Sequence, residues 1–278
     1  KKSLGQNFLN SNTYKQLIVE TAQIQSDDII LEVGPGKGAL SELILIKVEQ
    51  RGGLYIAVEK DDKLFEYLGE KFSNQIKKGV FLLLHGDILD LKIQDEIYKK
   101  ISNRPYKIIA NIPYYITGEI IRLFLTTAHQ PKSMTLLVQK EVAERINARS
   151  RGKEIGESIL SLSVKVFGNV KYIETVKAKN FSPQPKVDSA IIHITNISRD
   201  FFGNDVSLFG QKEVAFFELV KSGFAHKRKK LLSNLVERGY EKEEIQKIFI
   251  NENISLNVRA EELTLKDWQK LLSLKKQS

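Results

Sequence analysis

The 278-residue sequence predicts an α/β protein, with a parallel sheet covered by helices on both faces and a small all-helical domain after it. Two observations carry that prediction. Short β-rich apolar runs alternate with helix-like stretches through the first two thirds of the chain, and such alternation implies parallel strands joined by helical crossovers. After about Arg199 the alternation stops, and the remainder reads as short amphipathic helices.

Taken in order, Asp28–Val33 reads as a strand, Ala39–Glu49 as a helix and Leu54–Glu59 as a second strand. Val80–Leu84, Lys107–Ala110 and Met134–Val138 continue the strands, with helical patterns at Lys63–Phe72, Glu119–Thr127 and Lys140–Ala148. Ser163–Val166 and Ser189–Thr195 read as two more strands flanking a proline-rich loop, an antiparallel pair that would close one edge of the sheet. Phe201–Gly210 reads as a polar linker with aromatic residues. Beyond it, Leu231, Leu232, Leu235 and Val236, then Ile245, Ile248 and Phe249, recur at helical spacing. The expected division is a catalytic domain over 1–198 and a helical domain over 199–278.

Composition narrows the chemistry. The absence of cysteine removes disulfides, thiolate metal sites and cysteine nucleophiles, and fits a cytoplasmic protein. None of the four histidines has the spacing of a metal pair on a helix, so no metal is expected. No run approaches the ~18 apolar residues that span a bilayer, and no membrane partner is expected. The 43 basic and 34 acidic residues give +9 and a pI near 9.4. That balance suits a polyanion, whose counterions are released on binding, and equally suits lysine-rich solvated helices.

The segment Glu32-Val33-Gly34-Pro35-Gly36-Lys37-Gly38 follows a strand and opens a helix. Its glycines allow a tight turn and close approach of backbone to a ligand. A P-loop needs Ser or Thr after Gly-Lys, but Lys37 is followed by Gly38. The spacing also departs from Gly-x-Gly-x-x-Gly. Glu59 ends the second strand, where a carboxylate can accept from both ribose hydroxyls and disfavours a 2′-phosphate. Asp87 ends the third, placed to accept from an adenine amino group. Acids at successive strand ends with this glycine spacing match a site for S-adenosyl-L-methionine, with Gly34, Gly36, Glu59, Asp87 and their neighbours Lys60 and Ile88 in it.

At the end of the fourth strand stands Asn111-Ile112-Pro113-Tyr114. Methyl transfer to an amine mainly requires that its lone pair be held in line with the methyl. The Asn111 amide oxygen and the carbonyl beside Pro113 can both accept from an exocyclic amine, while Tyr114 offers a face for a flipped base. An ordinary strand-exit turn with a packed tyrosine is the alternative for that tetrapeptide taken alone.

These residues in this order resemble the small-subunit ribosomal RNA adenine dimethyltransferase family. Asn111–Tyr114 resembles the signature of nucleobase amino-methyltransferases, and Gly5-Gln6-Asn7-Phe8-Leu9 resembles the family's N-terminal motif, which lies over the cofactor. Phe181-Ser182-Pro183-Gln184-Pro185-Lys186-Val187-Asp188-Ser189, Gln139-Lys140-Glu141-Val142-Ala143 and Arg259-Ala260-Glu261-Glu262-Leu263 resemble its later motifs. Ile155-Gly156 departs from the family's usual Tyr-Gly. The resemblance implies a Rossmann-like methyltransferase sheet, with cofactor contacts at Gln6, Asn7, Leu9 and Asn111 beside those above. It implies that Phe181 stacks on the target adenine opposite Tyr114. The implied substrate is a pair of adjacent adenosines in a hairpin loop near the 3′ end of small-subunit ribosomal RNA, each dimethylated at N6. The partner would be an immature small subunit, met by a monomer.

Lys221–Lys230, which ends in Lys227, Arg228, Lys229 and Lys230, is the densest basic run; it reads as a helix start in the small domain and is expected to contact phosphates. Arg145, Arg149, Arg151 and Lys153 form a second basic patch. A related family that modifies large-subunit RNA, a binding-only role in ribosome assembly, and a nicotinamide-dependent oxidoreductase are the competing readings. The last leaves Asn-Ile-Pro-Tyr without a purpose.

Overall fold

A computed structural model of the chain describes residues 7–150, 153–154, 156–203 and 209–276. The first elements are β1 (Phe8–Leu9), α1 (Asn12–Thr21), β2 (Ile29–Val33), α2 (Ala39–Arg51), β3 (Leu54–Glu59), α3 (Asp62–Lys71), α4 (Ser73–Lys77) and β4 (Phe81–His85). Then come α5 (Leu91–Ile101), β5 (Tyr106–Asn111), α6 (Thr117–Thr126), β6 (Ser133–Gln139), α7 (Lys140–Asn147), β7 (Arg149–Ser150), β8 (Lys153–Glu154) and α8 (Ile159–Lys165). The series ends with β9 (Asn169–Val176), β10 (Phe181–Ser182), β11 (Ser189–Thr195), α9 (Phe209–Gly223), α10 (Leu231–Glu237), α11 (Lys242–Asn251) and α12 (Leu265–Lys270).

The chain forms two compact units. One comprises the described residues up to Ala143 together with Gly168–Ile197, and the other comprises Glu144–Phe167 and the described residues from Ser198 on. Glu144–Phe167 therefore groups with the helical residues, not with the sheet as a single boundary at 198 implies.

In the first unit, seven strands run in the order β4-β3-β2-β5-β6-β11-β9. β4, β3, β2, β5 and β6 are parallel, and β11 lies antiparallel to both β6 and β9. β2 and β6 are buried along most of their length, which explains why they read as continuous apolar runs without alternation. α1, α2 and α3 cover the face that carries Ile30, Tyr55, Ala57 and Ile109, through Ile18, Ile44, Val48 and Leu68. Chain direction away from β2 and β5 diverges, so their carboxyl ends flank the switch point at which open α/β sheets bind ligands.

The antiparallel edge exists, but one of its strands differs from expectation. Ser163–Val166 is not a strand; it falls at the end of α8, started by Ser158, whose Oγ accepts from the Ser161 N–H at 3.1 Å while the Ser158 N–H donates to Ser161 Oγ at 2.7 Å. That capping box overrides the short polar–apolar alternation. The edge strand is β9, whose exposed Lys171 and Glu174 weaken its apolar signal.

In the second unit, Phe201, Phe202, Phe216 and Phe167 form a chain of edge-to-face ring contacts. Trp268, fully buried, stacks on Phe224. Residues 224–230 make a turn between α9 and α10, so Lys227–Lys230 lie on the turn that leads into α10, with Lys230 at its N-cap, and not within the first turn of a helix.

Candidate active site

The glycine loop is shaped by backbone and by one aromatic ring. Gly36 has φ +60°, and a Cβ there would stand 2.8 Å from the Phe8 ring, so neither conformation nor space admits a side chain. Gly34 has φ +67° and open space where a Cβ would point, which leaves bare backbone facing the strand ends. Lys37 Nζ lies 5.0 Å from the Phe8 ring centre, a cation–π contact over the loop.

Glu59, 1% exposed, is held by three backbone donors at the end of β3. Gly36 N–H donates to Oε2 at 3.0 Å, and the N–H groups of Lys60 and Asp61 donate to Oε1, each at 2.9 Å. Burial pushes its carboxyl above the ordinary value, opposed by those three donors. Asp87, after β4, is more open. Its Oδ1 accepts from Leu89 N–H at 3.0 Å, and its Oδ2 pairs with Lys60 Nζ at 2.7 Å. Burial would raise the Asp87 carboxyl, but the Lys60 and Leu89 bonds and the Lys60 charge outweigh it and hold it below the usual carboxylate value. Lys60 thus holds Asp87 through its side chain and Glu59 through its backbone.

Asn111 ends β5 beside the loop. Its Nδ2 donates to the Asn7 carbonyl at 3.0 Å, which fixes the amide and turns Oδ1 to the acceptor role. Ile112 is buried, while Pro113 and Tyr114 are half-buried. The Tyr114 hydroxyl bonds to Ser189 Oγ at 2.7 Å. Burial pushes its phenol up, the Ser189 bond opposes this, and the Asp188 charge adds to it.

The N-terminal and late motifs meet in space. β1 and β10 pair antiparallel, with Leu9 opposite Phe181. Asn10 N–H continues the pairing to the Asn180 carbonyl at 2.8 Å. Leu9 and Phe181 are both buried in the core, at 5% and 4% exposed. Ile88, at 4%, is a packing residue behind Asp87. Gln6, Arg151 and the side chain of Arg149 lie outside the described residues.

The expected basic residues fall in the other unit. Arg145 is exposed on α7. Lys227–Lys230 are all exposed, and Lys229 Nζ pairs with Glu237 at 2.8 Å, which also holds His226 Nε2 at 3.2 Å. Sequence reasoning passed over Ser189, Phe8 as the cover of Gly36, and the buried pair Ser41 and Tyr55 behind Glu32. Each is an unremarkable residue on an apolar pattern, and only the register of neighbouring strands brings it to the loop or the acids.

Taken together, the sheet order, the glycine loop and the strand-end acids place the chain in the Rossmann-like methyltransferase class. Solved structures agree on that fold. A dimethyladenosine transferase from Plasmodium falciparum superimposes with a TM-score of 0.73 at 22% identity, covering 95% of each chain. The 23S rRNA methyltransferase ErmE gives 0.71 at 22% identity, covering 96% of this chain and 98% of that one. The family model described as ribosomal RNA adenine dimethylase matches residues 1–277. A protein of Dehalococcoides mccartyi (strain CBDB1) is 39% identical over 277 residues, 98% of this chain and 87% of that one. One of Fusobacterium nucleatum subsp. nucleatum is 38% identical over 275 residues, 99% of this chain and 97% of that one. Both are named ribosomal RNA small subunit methyltransferase A. The chain belongs to the ribosomal RNA adenine dimethylase family.

Proposed function

We propose that the protein transfers methyl groups from S-adenosyl-L-methionine to N6 of two adjacent adenosines in a hairpin loop near the 3′ end of small-subunit ribosomal RNA, during maturation of that subunit. The observation that carries the chemistry is Asn111: with Nδ2 committed to the Asn7 carbonyl, its Oδ1 is left as an acceptor at the switch point of the sheet. The family and the names of the two relatives support the choice of RNA.

The residues at the strand ends fit the cofactor. The open face of Gly34 admits close approach, Glu59 sits where a ribose diol would be bound, and Asp87 is held ionised as an acceptor for the adenine amino group. Asn7, Leu9, Gly36, Lys60 and Ile88 complete the surround. The cofactor supplies an electrophilic methyl on a sulfonium centre. Asn111 Oδ1 and the Ile112 carbonyl accept hydrogen bonds from the target amine, which turns its lone pair away from them and keeps the departing proton on their side. Tyr114 supplies a stacking face for the flipped base, its ring oriented by Ser189. Phe181 is buried and serves as the apolar wall, so stacking on it requires that wall to open.

Arg145 and the basic turn at 227–230 contact RNA phosphates. The helical residues act as the RNA-binding domain, and the described part of the chain has no helix long and apolar enough to cross a membrane. The test is transfer of labelled methyl from the cofactor to immature small subunits with the modified nucleotides mapped. Dimethyladenosine at two adjacent positions is expected. Label confined to large-subunit RNA, or none, would overturn the reading.

A further inference from the structure

The mechanism leaves one buried acid without a role. Glu32 is the penultimate residue of β2, 1% exposed, with the glycine loop starting two residues later. Ser41 Oγ donates to Glu32 Oε2 at 2.8 Å, and the Tyr55 hydroxyl donates to the same oxygen. Tyr55 and Ser41 also bond to each other at 2.8 Å. The three side chains come from β2, the first turn of α2 and β3, and all three are fully buried or nearly so.

Isolated carboxyl groups in apolar interiors are costly, and similar apolar residues are often as stable or more so. Stability alone therefore gives Glu32 no reason to be acidic. Its bonds explain it better. Glu32 precedes the loop and Ser41 follows it, so a single carboxyl oxygen ties the two ends of Gly34–Gly38 together. Tyr55 anchors that oxygen to the strand that ends in Glu59, and the Gly36 N–H joins the middle of the loop to Glu59. The loop is thereby fixed at its entry, its exit and its centre to the strand that carries the ribose-binding acid.

We infer that Glu32, with Ser41 and Tyr55, is a positioning clamp for the cofactor-binding loop. This rests on the reading of the loop as the S-adenosyl-L-methionine site. The clamp acts before the chemistry, so its loss raises KM and Kd for the cofactor and leaves kcat at saturation nearly unchanged.

The test is calorimetric titration of the full chain with S-adenosyl-L-methionine, thermal unfolding, and methyl-transfer kinetics at several cofactor concentrations. Glu32→Leu is expected to bind about tenfold or more weakly, about 1.4 kcal/mol, and to show a lower Tm, because the buried Ser41 and Tyr55 hydroxyls lose their acceptor. Glu32→Gln keeps an acceptor oxygen and should restore most of the affinity. Ser41→Ala and Tyr55→Phe should each weaken binding, and together by less than the product of the two, because they share one acceptor. If Glu32→Leu folds and binds like wild type, the clamp is wrong. If Glu32→Leu does not fold, wild-type affinity in both Ser41→Ala and Tyr55→Phe decides against it equally. Wild-type protein that binds no S-adenosyl-L-methionine would overturn both the clamp and the reading beneath it.

Discussion

The strand ends around Glu59, proposed to bind the cofactor, and the turn at Lys227–Lys230, proposed to bind RNA, are built on opposite physical terms. Glu59 is buried, and each of its oxygens is set by backbone donors at 2.9–3.0 Å. The basic turn is exposed at every position from His226 to Lys230 and holds its charges in water. In the first region a ligand meets groups already oriented in a low dielectric, where one lost hydrogen bond is felt in full. In the second, interactions are screened within ~8 Å at physiological salt, and affinity accumulates over several replaceable charges. Point changes should therefore be severe at the sheet edge and graded at the turn.

The largest effect is expected at Asn111. Removing one preorganised group at a reacting centre typically costs on the order of 10²–10³ in rate. Asn111→Ala should lose that much in single-turnover methyl transfer at saturating cofactor, with RNA affinity little changed. A wild-type rate under saturation would reduce Asn111 to a cofactor ligand. Tyr114→Ala should lose ~1–3 kcal/mol of base stacking, seen in RNA binding and in kcat together.

Next is the pH dependence set by Glu32, the interior acid of the same region. Burial pushes its carboxyl up to about 7, against the Tyr55 and Ser41 bonds that pull it down, with the Glu59 charge adding to the rise. The sign follows from linkage. A raised carboxyl binds its proton more tightly in the folded state, so its contribution is fully present below the unfolded value of 4.5 and is lost as pH rises through about 7. The amplitude is at most roughly 3–4 kcal/mol at ~1.4 kcal/mol per pKa unit. Urea unfolding between pH 4 and pH 8 should show wild type losing stability relative to Glu32→Gln across that window. Parallel curves would mean that Glu32 keeps an ordinary carboxyl.

Asp87 lies between the two extremes, partly exposed and paired with Lys60. A hydrogen bond to a charged group is worth ~1.5–3 kcal/mol. Asp87→Ala should weaken cofactor binding about 10- to 100-fold by calorimetry, and Lys60→Met less, because Leu89 N–H still holds the carboxylate. Wild-type affinity in Asp87→Ala would remove that acid from the site.

The same contrast governs what could be read in advance. The sheet and its site follow from local chemistry that the sequence displays: apolar runs, glycines at a strand exit, acids at strand ends, and Asn-Ile-Pro-Tyr. Where side-chain hydrogen bonding between near neighbours overrides periodicity, reading fails, as when the Ser158–Ser161 box makes α8 from an apparent strand. Contacts between distant segments were equally hidden. Nothing local says that Asn7 will fix the Asn111 amide across 104 residues, or that Tyr55 reaches back to Glu32. The basic run was legible as charge but not as a turn, because Lys and Arg are also good helix formers.

The smallest effects are expected in that turn, and they divide by the ion pairs already present. Glu237 holds Lys229 and His226, whereas Lys227, Arg228 and Lys230 carry no ion pair among the described residues. Lys229 and His226 hold the Glu237 carboxyl below its ordinary value, so Glu237 stays ionised through the neutral range and competes with a phosphate for Lys229. Neutralising Lys227, Arg228 or Lys230 singly should lower the salt slope of log K for RNA by ~0.7–0.9 for each lost phosphate contact. Lys229→Ala should lower it less, because Glu237 already offsets that charge. Glu237→Gln should act in the opposite sense, steepening the slope and tightening RNA binding a few-fold, with cofactor affinity unchanged. Filter binding of the substrate RNA from low to moderate salt distinguishes these cases. If all four basic variants and Glu237→Gln share the wild-type slope, the turn is a solvated surface, and the phosphate contacts belong to other residues.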